Sequence, residues 1–313
     1  MTEEGSPEAA GARSYLFALN PNASGVDSID ALKSQISEAM AGADCRFVTP
    51  ESAEAVAGVI EAALAEQPAD VLVGVGGDGA ARMLIPIALK HAPLALGIIP
   101  MGTGNLLASA LNIPAEVEGA CEVLLHGERR RMHLGALNNG EFFTLAVGVG
   151  IDATIMKQTS SERKKALGGL AYVLEGIRQI FRARVMTMDI WIDDQRLRRQ
   201  ASGVMIINHR DFLTSFNPFS TPSQENLEDE WLDVCILDLS NPLAAIPSML
   251  QLMTQDFSNP LLPLEHFRGK RVRVKTRPVT AVQADGDVIG KTPLDVTIRE
   301  ECLPFIMRAA ASN

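Results

Sequence analysis

Residues 71 to 79 read Val-Leu-Val-Gly-Val-Gly-Gly-Asp-Gly, an apolar run that predicts a buried strand, followed by four glycines within six residues. Ala80 to Lys90 then carries the apolar spacing of a helix. Strand, glycine loop and helix in that order make a cradle for an anion. Glycine lets backbone N–H groups crowd around a phosphate, and the helix dipole points at the same place. A simple tight turn would not need so many glycines. Asp78 sits inside the loop, where a carboxylate repels phosphate unless a divalent cation lies between them or the carboxylate handles a hydroxyl proton. Both roles point to phosphoryl transfer. Gly74, Gly76 and Gly79 also fit the G-x-G-x-x-G pattern of dinucleotide-binding folds, which needs an acidic residue about 20 positions on for the ribose. Ala80 to Ala115 contains no Asp or Glu, so hydride transfer is demoted.

The loop lies within a regular alternation of elements. Strands are expected at Tyr15–Leu19, Cys45–Val48 and Ala95–Ile99, and helices at Ile29–Met40, Ala53–Ala65, Leu106–Leu111 and Val117–Leu125. Alternation of this kind predicts a parallel sheet covered on both faces by helices. After Arg131 the pattern changes to period two: Glu141–Val149, Thr187–Asp193, Gln200–Ile207, Leu232–Asp238, Arg271–Thr276 and Val279–Gln283. That is an antiparallel, all-β signature, interrupted by helices expected at Lys164–Phe181 and Pro242–Met253. The reading is therefore an α/β nucleotide-binding domain with a parallel sheet over residues 13–131, then a mostly antiparallel β-sandwich domain over 132–313. The last residues are free to pack back on the first domain. Residues 1–12, rich in Glu, Ala and Gly, read as a disordered tail without the basic start and apolar stretch of a signal peptide.

Composition narrows the function classes. A net charge of −10 argues against a nucleic-acid partner. No apolar run reaches the ~20 residues that span a bilayer, so the expected location is cytoplasmic, with any membrane contact peripheral and on the inner face. Basic residues cluster in the second part, as at Arg129–Arg131, Arg196 with Arg198 and Arg199, and Lys270–Arg277. Such clusters suit either anionic headgroups or solvated faces. The four cysteines form no C-x-x-C pair and the five histidines show no ligand spacing, so neither a disulfide framework nor a zinc site is indicated.

A second glycine loop, Pro100-Met101-Gly102-Thr103-Gly104-Asn105, follows the next expected strand and leads into a helix. Parallel strands place both loops at one sheet edge, where they can share an anion. Thr103 or Asn105 could equally be a helix cap. Further on, Asp285-Gly286-Asp287 lies between expected strands at Val279–Gln283 and Leu294–Arg299. It offers either an ordinary turn or a carboxylate within reach of an attacking hydroxyl.

Asn20-Pro21 with Ser24-Gly25, Gly76-Gly77-Asp78-Gly79, Gly102-Thr103-Gly104-Asn105-Leu106-Leu107-Ala108 and Ala284-Asp285-Gly286-Asp287 together resemble, in order and spacing, the diacylglycerol kinase catalytic-domain family. The resemblance is closest to the bacterial lipid kinases related to sphingosine kinases. Gly148-Val149-Gly150-Ile151-Asp152-Ala153 and Leu167-Gly168-Gly169-Leu170-Ala171-Tyr172 extend it, so that it covers roughly Tyr15 to Arg299. It implies ATP- and Mg2+-dependent phosphorylation of a lipid with a free hydroxyl, in a cleft between the two domains. Homodimerisation and the identity of the lipid stay open. By this resemblance Asn20, Thr49, Gly74, Gly76, Gly77, Asp78, Gly79, Ala80, Gly102, Thr103 and Asn105 contact ATP. Asp287 takes the hydroxyl proton with Asp285 beside it, and Asp78 orients the phosphates or the acceptor. Magnesium would be held by Asp229 with the carbonyls of Asn226 and Trp231; a solvated acidic loop fits that segment equally well.

The chain departs from the family at several of these positions. Ala80, Arg82 and Met83 replace a threonine, an asparagine and a glutamate. Asp287 replaces a glutamate, and Glu230 a glycine. The stretch His209 to Gln224 lacks the family's glycine-rich sequence, and its Phe212, Phe216 and Phe219 suit an acyl pocket or an ordinary core. NAD kinase shares the Gly-Gly-Asp-Gly loop and is the enzymatic alternative; a non-catalytic nucleotide or lipid sensor of the same fold is the other.

Overall fold

The computed structural model describes residues 13–26, 28–150, 184–211, 213, 227–238, 247–248, 251–252, 254 and 264–308. The helix expected at 164–181, most of that at 242–253, Asn226, and Phe212, Phe216 and Phe219 lie outside them.

The first part alternates as its periodicity dictates: β1 (Ser14–Leu19), α1 (Ile29–Ala39), β2 (Asp44–Val48), α2 (Val56–Glu66), β3 (Val71–Gly76), α3 (Asp78–Lys90), β4 (Ala95–Pro100), α4 (Leu106–Ala110) and α5 (Val117–His126). The four strands run parallel in the order β2-β1-β3-β4. Helix α1 packs with α5 and α2 with α3. Covered on both faces, β3 and β4 are buried at every residue, which is why they read as unbroken apolar runs rather than alternating ones. The chain leaves β1 for β2 on one side and returns to β3 on the other. The carboxyl ends of β1 and β3 therefore flank a topological switch point, where a crevice forms.

The second part contains β5 (Glu128–Leu137), β6 (Phe142–Phe143), β7 (Ala146–Val149), β8 (Met186–Ile192), β9 (Gln195–Ala201), β10 (Gly203–Ile207), β11 (Leu232–Leu237), β12 (Glu265–Gly269), β13 (Arg271–Arg277), β14 (Ala281–Ala284), β15 (Asp287–Lys291) and β16 (Leu294–Met307). Six of these strands form a sheet ordered β12-β11-β10-β7-β14-β15, antiparallel throughout. The rest extend the first sheet, which continues β4-β16-β13-β8-β9, with β5 along β16. The long β16 joins the two parts. Its start pairs with β13, and Phe305 lies beside Leu96 of β4 in parallel register.

The sandwich core lies between the six-stranded sheet and this extension. Val147, Val204, Ile206 and Val234 from one layer meet Met188, Ile190, Val272 and Val296 from the other. The alternating burial of β13, with Val272, Val274 and Thr276 inward and arginines and lysine outward, is the period-two signal made physical. The expected single strand over 200–207 is in fact two, β9 and β10, which belong to different sheets and part at Ser202. The partner of β14 across the Asp285-Gly286 turn is β15, not the strand beginning at Leu294. Asp285 and Gly286 have φ of 48° and 87°, the left-handed pair that a two-residue hairpin turn requires and that Asp-Gly supplies at low cost.

Candidate active site

The glycine loop after β3 and the loop after β4 are packed main chain against main chain. A Cβ on Gly102 would stand 2.5 Å from Gly77 Cα, so nothing larger than hydrogen fits between the loops. Met101 N donates to Gly76 O at 2.9 Å and Gly25 N to Met101 O at 3.1 Å, which adds the turn after β1 to the assembly. Ser24 Oγ lies 3.3 Å from Thr103 Oγ1. Asn105 adopts φ 50° and folds back on its own loop, accepting from Gly102 N at 2.9 Å and donating to Gly102 O at 2.8 Å. Among the described residues, the amides of Gly79, Thr103 and Gly104 have no hydrogen-bond acceptor.

Beside the loops a cleft of about 360 Å³ is lined by Asn20, Asn22, Pro50, Val56, Gly79, Ala80, Met83 and Leu84. It is of ligand size, and its mostly apolar wall suits a flat heterocycle. Thr49, at the end of β2, keeps its hydroxyl buried without a hydrogen-bond partner among the described residues. An unpaired buried hydroxyl next to a cleft is a seat for a ligand's polar atom. These residues fit a nucleotide triphosphate: an apolar slot and a lone hydroxyl for the base and sugar, and glycine amides for the phosphates. Asn20 N donates to Val75 O at 3.0 Å and its Oδ1 accepts from Asn22 N at 3.0 Å, which shapes the rim.

The aspartates separate by role. Asp78 accepts from the amides of Leu106 at 3.0 Å and Leu107 at 2.9 Å, capping α4 from the neighbouring loop. Its side chain ties the two loops together, and the α4 N-terminus is occupied by this internal carboxylate rather than offered to a phosphate. Burial pushes the Asp78 carboxyl upward; the Leu107 and Leu106 amides pull it back, and the nearby Asp285 and Asp287 charges add to the rise. Asp285 is buried and accepts from Thr144 N at 2.7 Å, Thr144 Oγ1 at 3.0 Å, Leu145 N at 2.8 Å and Ala146 N at 3.1 Å. Burial raises its carboxyl as well, against these donors. It pins the β14–β15 hairpin to β7. Asp287 lies instead over the glycine loop, with Oδ2 only 3.2 Å from where a Cβ on Gly79 would stand. Arg82 of α3 reaches the same carboxylate, Nη2 to Oδ2 at 3.4 Å, and donates to Ala284 O at 3.2 Å through Nη1.

Of the residues expected at magnesium, Asn226 lies outside the described residues, and the side chains of Asp229 and Trp231 have partners of their own. Asp229 is held by Arg268 Nη2, and Glu230 by Lys270 Nζ at 2.6 Å. Trp231 is exposed with Lys270 over its ring. Just behind, the buried Asp233 accepts from Arg210 Nη2 at 2.6 Å and pairs with His266 Nε2 at 2.7 Å. Burial alone would raise the Asp233 carboxyl, but these partners hold it below the ordinary carboxylate range. Sequence reasoning missed this network because its cations come from β12 and from the segment after β10. Asp229 also lies before β11, four strands from β15 in the six-stranded sheet. Among the described residues no cluster of three or more His, Cys, Asp or Glu could hold a metal.

Residues 14–137 match the model of the diacylglycerol kinase catalytic domain, and residues 145–309 that of the YegS C-terminal NAD kinase beta sandwich-like domain. The chain belongs to the diacylglycerol kinase catalytic-domain family. This family of lipid kinases includes a diacylglycerol kinase of Staphylococcus saprophyticus, 27% identical over 229 residues, 73% of each chain. A Synechocystis protein of uncharacterized function is 30% identical over 236 residues, 74% of this chain and 53% of that protein, so the match spans about half of that relative. Among solved structures, a diacylglycerol kinase from Bacillus anthracis Sterne superposes with a TM-score of 0.68 at 20% identity, covering 96% of this chain and 99% of the other. A second chain from that strain reaches 0.72 at 21% identity. At such identity the superposition speaks for the fold.

The basic clusters are partly neutralised within the molecule. Arg196 pairs with Asp189 at 3.1 Å, Arg199 with Glu265 at 2.9 Å, and Arg129 donates to Pro93 O. Among the described residues no helix is long and apolar enough to cross a membrane.

Proposed function

We propose that this protein is an ATP- and magnesium-dependent lipid kinase that moves the γ-phosphate of ATP to a hydroxyl on a lipid, diacylglycerol-like or long-chain-base-like. The observation that carries the reading is the position of Asp287, a part-exposed carboxylate directly over the glycine loop, whereas Asp78 and Asp285 are engaged by main-chain amides. The acceptor oxygen attacks the γ-phosphorus as the bond to the ADP oxygen breaks, and the hydroxyl proton passes to Asp287. Magnesium enters as the companion of the nucleotide. The protein's part is positioning and charge neutralisation by the loop amides around Gly79 and Gly104. A lipid acceptor is reached by peripheral contact with a bilayer from the cytoplasmic side.

The experiment is transfer of labelled phosphate from ATP to a total lipid extract, with the product identified by mass. Asp287→Asn should keep ATP binding and lower turnover by about 10²–10⁴-fold; retained turnover would remove the base assignment. A second reading, phosphorylation of NAD, is favoured by the NAD kinase-like description of the family matched by the sandwich. Label appearing on NAD and on no lipid would establish it instead.

A further inference from the structure

Arg82 stands on α3 one turn beyond Asp78, and its guanidinium leaves the nucleotide domain to meet the β14–β15 hairpin. Its two contacts, Ala284 O at 3.2 Å and Asp287 Oδ2 at 3.4 Å, lie on either side of the Asp285-Gly286 turn. The hairpin thus has two anchors: Asp285 fastens it to the six-stranded sheet, and Arg82 fastens it to the helix that begins in the phosphate loop. The two anchors differ in kind. The first is buried and hydrogen-bonded through both oxygens, whereas in the second the side chains are 21% and 38% exposed. An ion pair so open to water contributes little to the stability of a fold. One guanidinium nitrogen holds the hairpin main chain at Ala284 O while the other reaches the carboxylate, so the planar fork sets the carboxylate relative to its own strand.

We propose that Arg82 is a positioning residue for phosphoryl transfer, holding Asp287 over the glycine loop so that the carboxylate meets the acceptor hydroxyl when ATP is in place. This rests on the lipid-kinase reading. β15 is an edge strand, so its hairpin is backed by a neighbouring strand on one side only, and Arg82 ties it to α3. A misplacement of about 1 Å at a reacting group is enough to cost ~10²-fold in rate. Arg82 acts through Asp287, so its effect should vanish when Asp287 can no longer accept a proton.

The test is a double-mutant cycle on the full chain with MgATP and the lipid extract, reading kcat and KM separately. Arg82→Ala should lower kcat by about 10²-fold with KM for ATP changed less than about threefold. Arg82→Lys, which keeps the charge but reaches a single acceptor, should recover part of the loss. In an Asp287→Asn background the Arg82→Ala change should cost less than about twofold. The urea midpoint of Arg82→Ala, measured alongside, should match that of the unaltered protein. Equal losses in both backgrounds, a loss confined to KM for ATP, or a fall in kcat that tracks a fall in the urea midpoint would each overturn the assignment while leaving the kinase reading intact. Absence of transfer to any lipid by the unaltered protein would overturn the kinase reading itself, and this inference with it.

Discussion

Replacing Asp285 by asparagine separates a structural carboxylate from a reacting one two residues away. In the native site Oδ2 accepts from Thr144 N and Thr144 Oγ1, and Oδ1 from Leu145 N and Ala146 N. Asparagine keeps one oxygen. Its best orientation puts the amide nitrogen where Oδ2 was, because the Thr144 hydroxyl can rotate and become the acceptor. Thr144 N is then left buried without a partner, at about 1–3 kcal/mol. The bonds from Leu145 and Ala146 lose their charge assistance, which roughly halves each and adds about 1–2 kcal/mol. Relief from burying an anion returns part of this. The net expectation is a loss of about 2–4 kcal/mol, large against the 5–15 kcal/mol that holds a typical domain. With a urea dependence of about 2 kcal/mol/M, the midpoint should fall by about 1–2 M. Amide exchange at Thr144, Leu145 and Ala146 should accelerate together. If Asp285→Asn kept its midpoint and its amide protection yet lost turnover a thousandfold, Asp285 would be a reacting group and the division of roles drawn above would be wrong.

Other consequences are as direct. Gly102→Ala must push the two loops apart by about 0.9 Å to bring a contact of 2.5 Å to ordinary separation, so ATP affinity should fall at least tenfold while the melting temperature changes little; calorimetric titration with MgATP reads it. His209 is buried with its nearest carboxylate, Asp211, 3.8 Å away, too far for a hydrogen bond, and burial pushes the imidazole down to about 4. The folded state therefore binds that proton less readily than the unfolded chain, whose value is ~6.5. Stability is full above that value and lost as pH falls toward 4, by about 2 kcal/mol between pH 7 and pH 5. His209→Leu should flatten urea midpoints across that interval. Because Arg268 occupies Asp229, melting should be the same within about 1 °C in EDTA and in millimolar magnesium without nucleotide; a magnesium-dependent rise would put a metal there after all.

Much of the architecture could be read from periodicity alone, and the exceptions have causes. Strands β3 and β4 announce themselves because both faces are buried, and β13 because one is. β5 begins Glu-Arg-Arg-Arg, half exposed at its start, and carries no alternation there; its pairing with β16 makes it a strand. β15, exposed at Val288, Gly290 and Lys291, is likewise a strand by virtue of β14.

For the site, the glycines were legible because close packing of backbone leaves no other residue a place, as Gly77 against Gly102 demonstrates. The roles of the acids were not. Asp78, Asp285, Asp287 and Asp229 are the same side chain, and what each can do depends on what the rest of the chain brings to it: the α4 amides, the Thr144–Ala146 amides, the Arg82 guanidinium and the Arg268 guanidinium. The sequence by itself determined the elements, the parallel and antiparallel halves, and a phosphate-sized gap of glycines, because those follow from local sterics and from which faces shun water. Only the tertiary structure decided which carboxylate lies over the glycine loop, because the donors that engage the others come from residues 28 to 141 positions away, and one-dimensional spacing does not record such meetings.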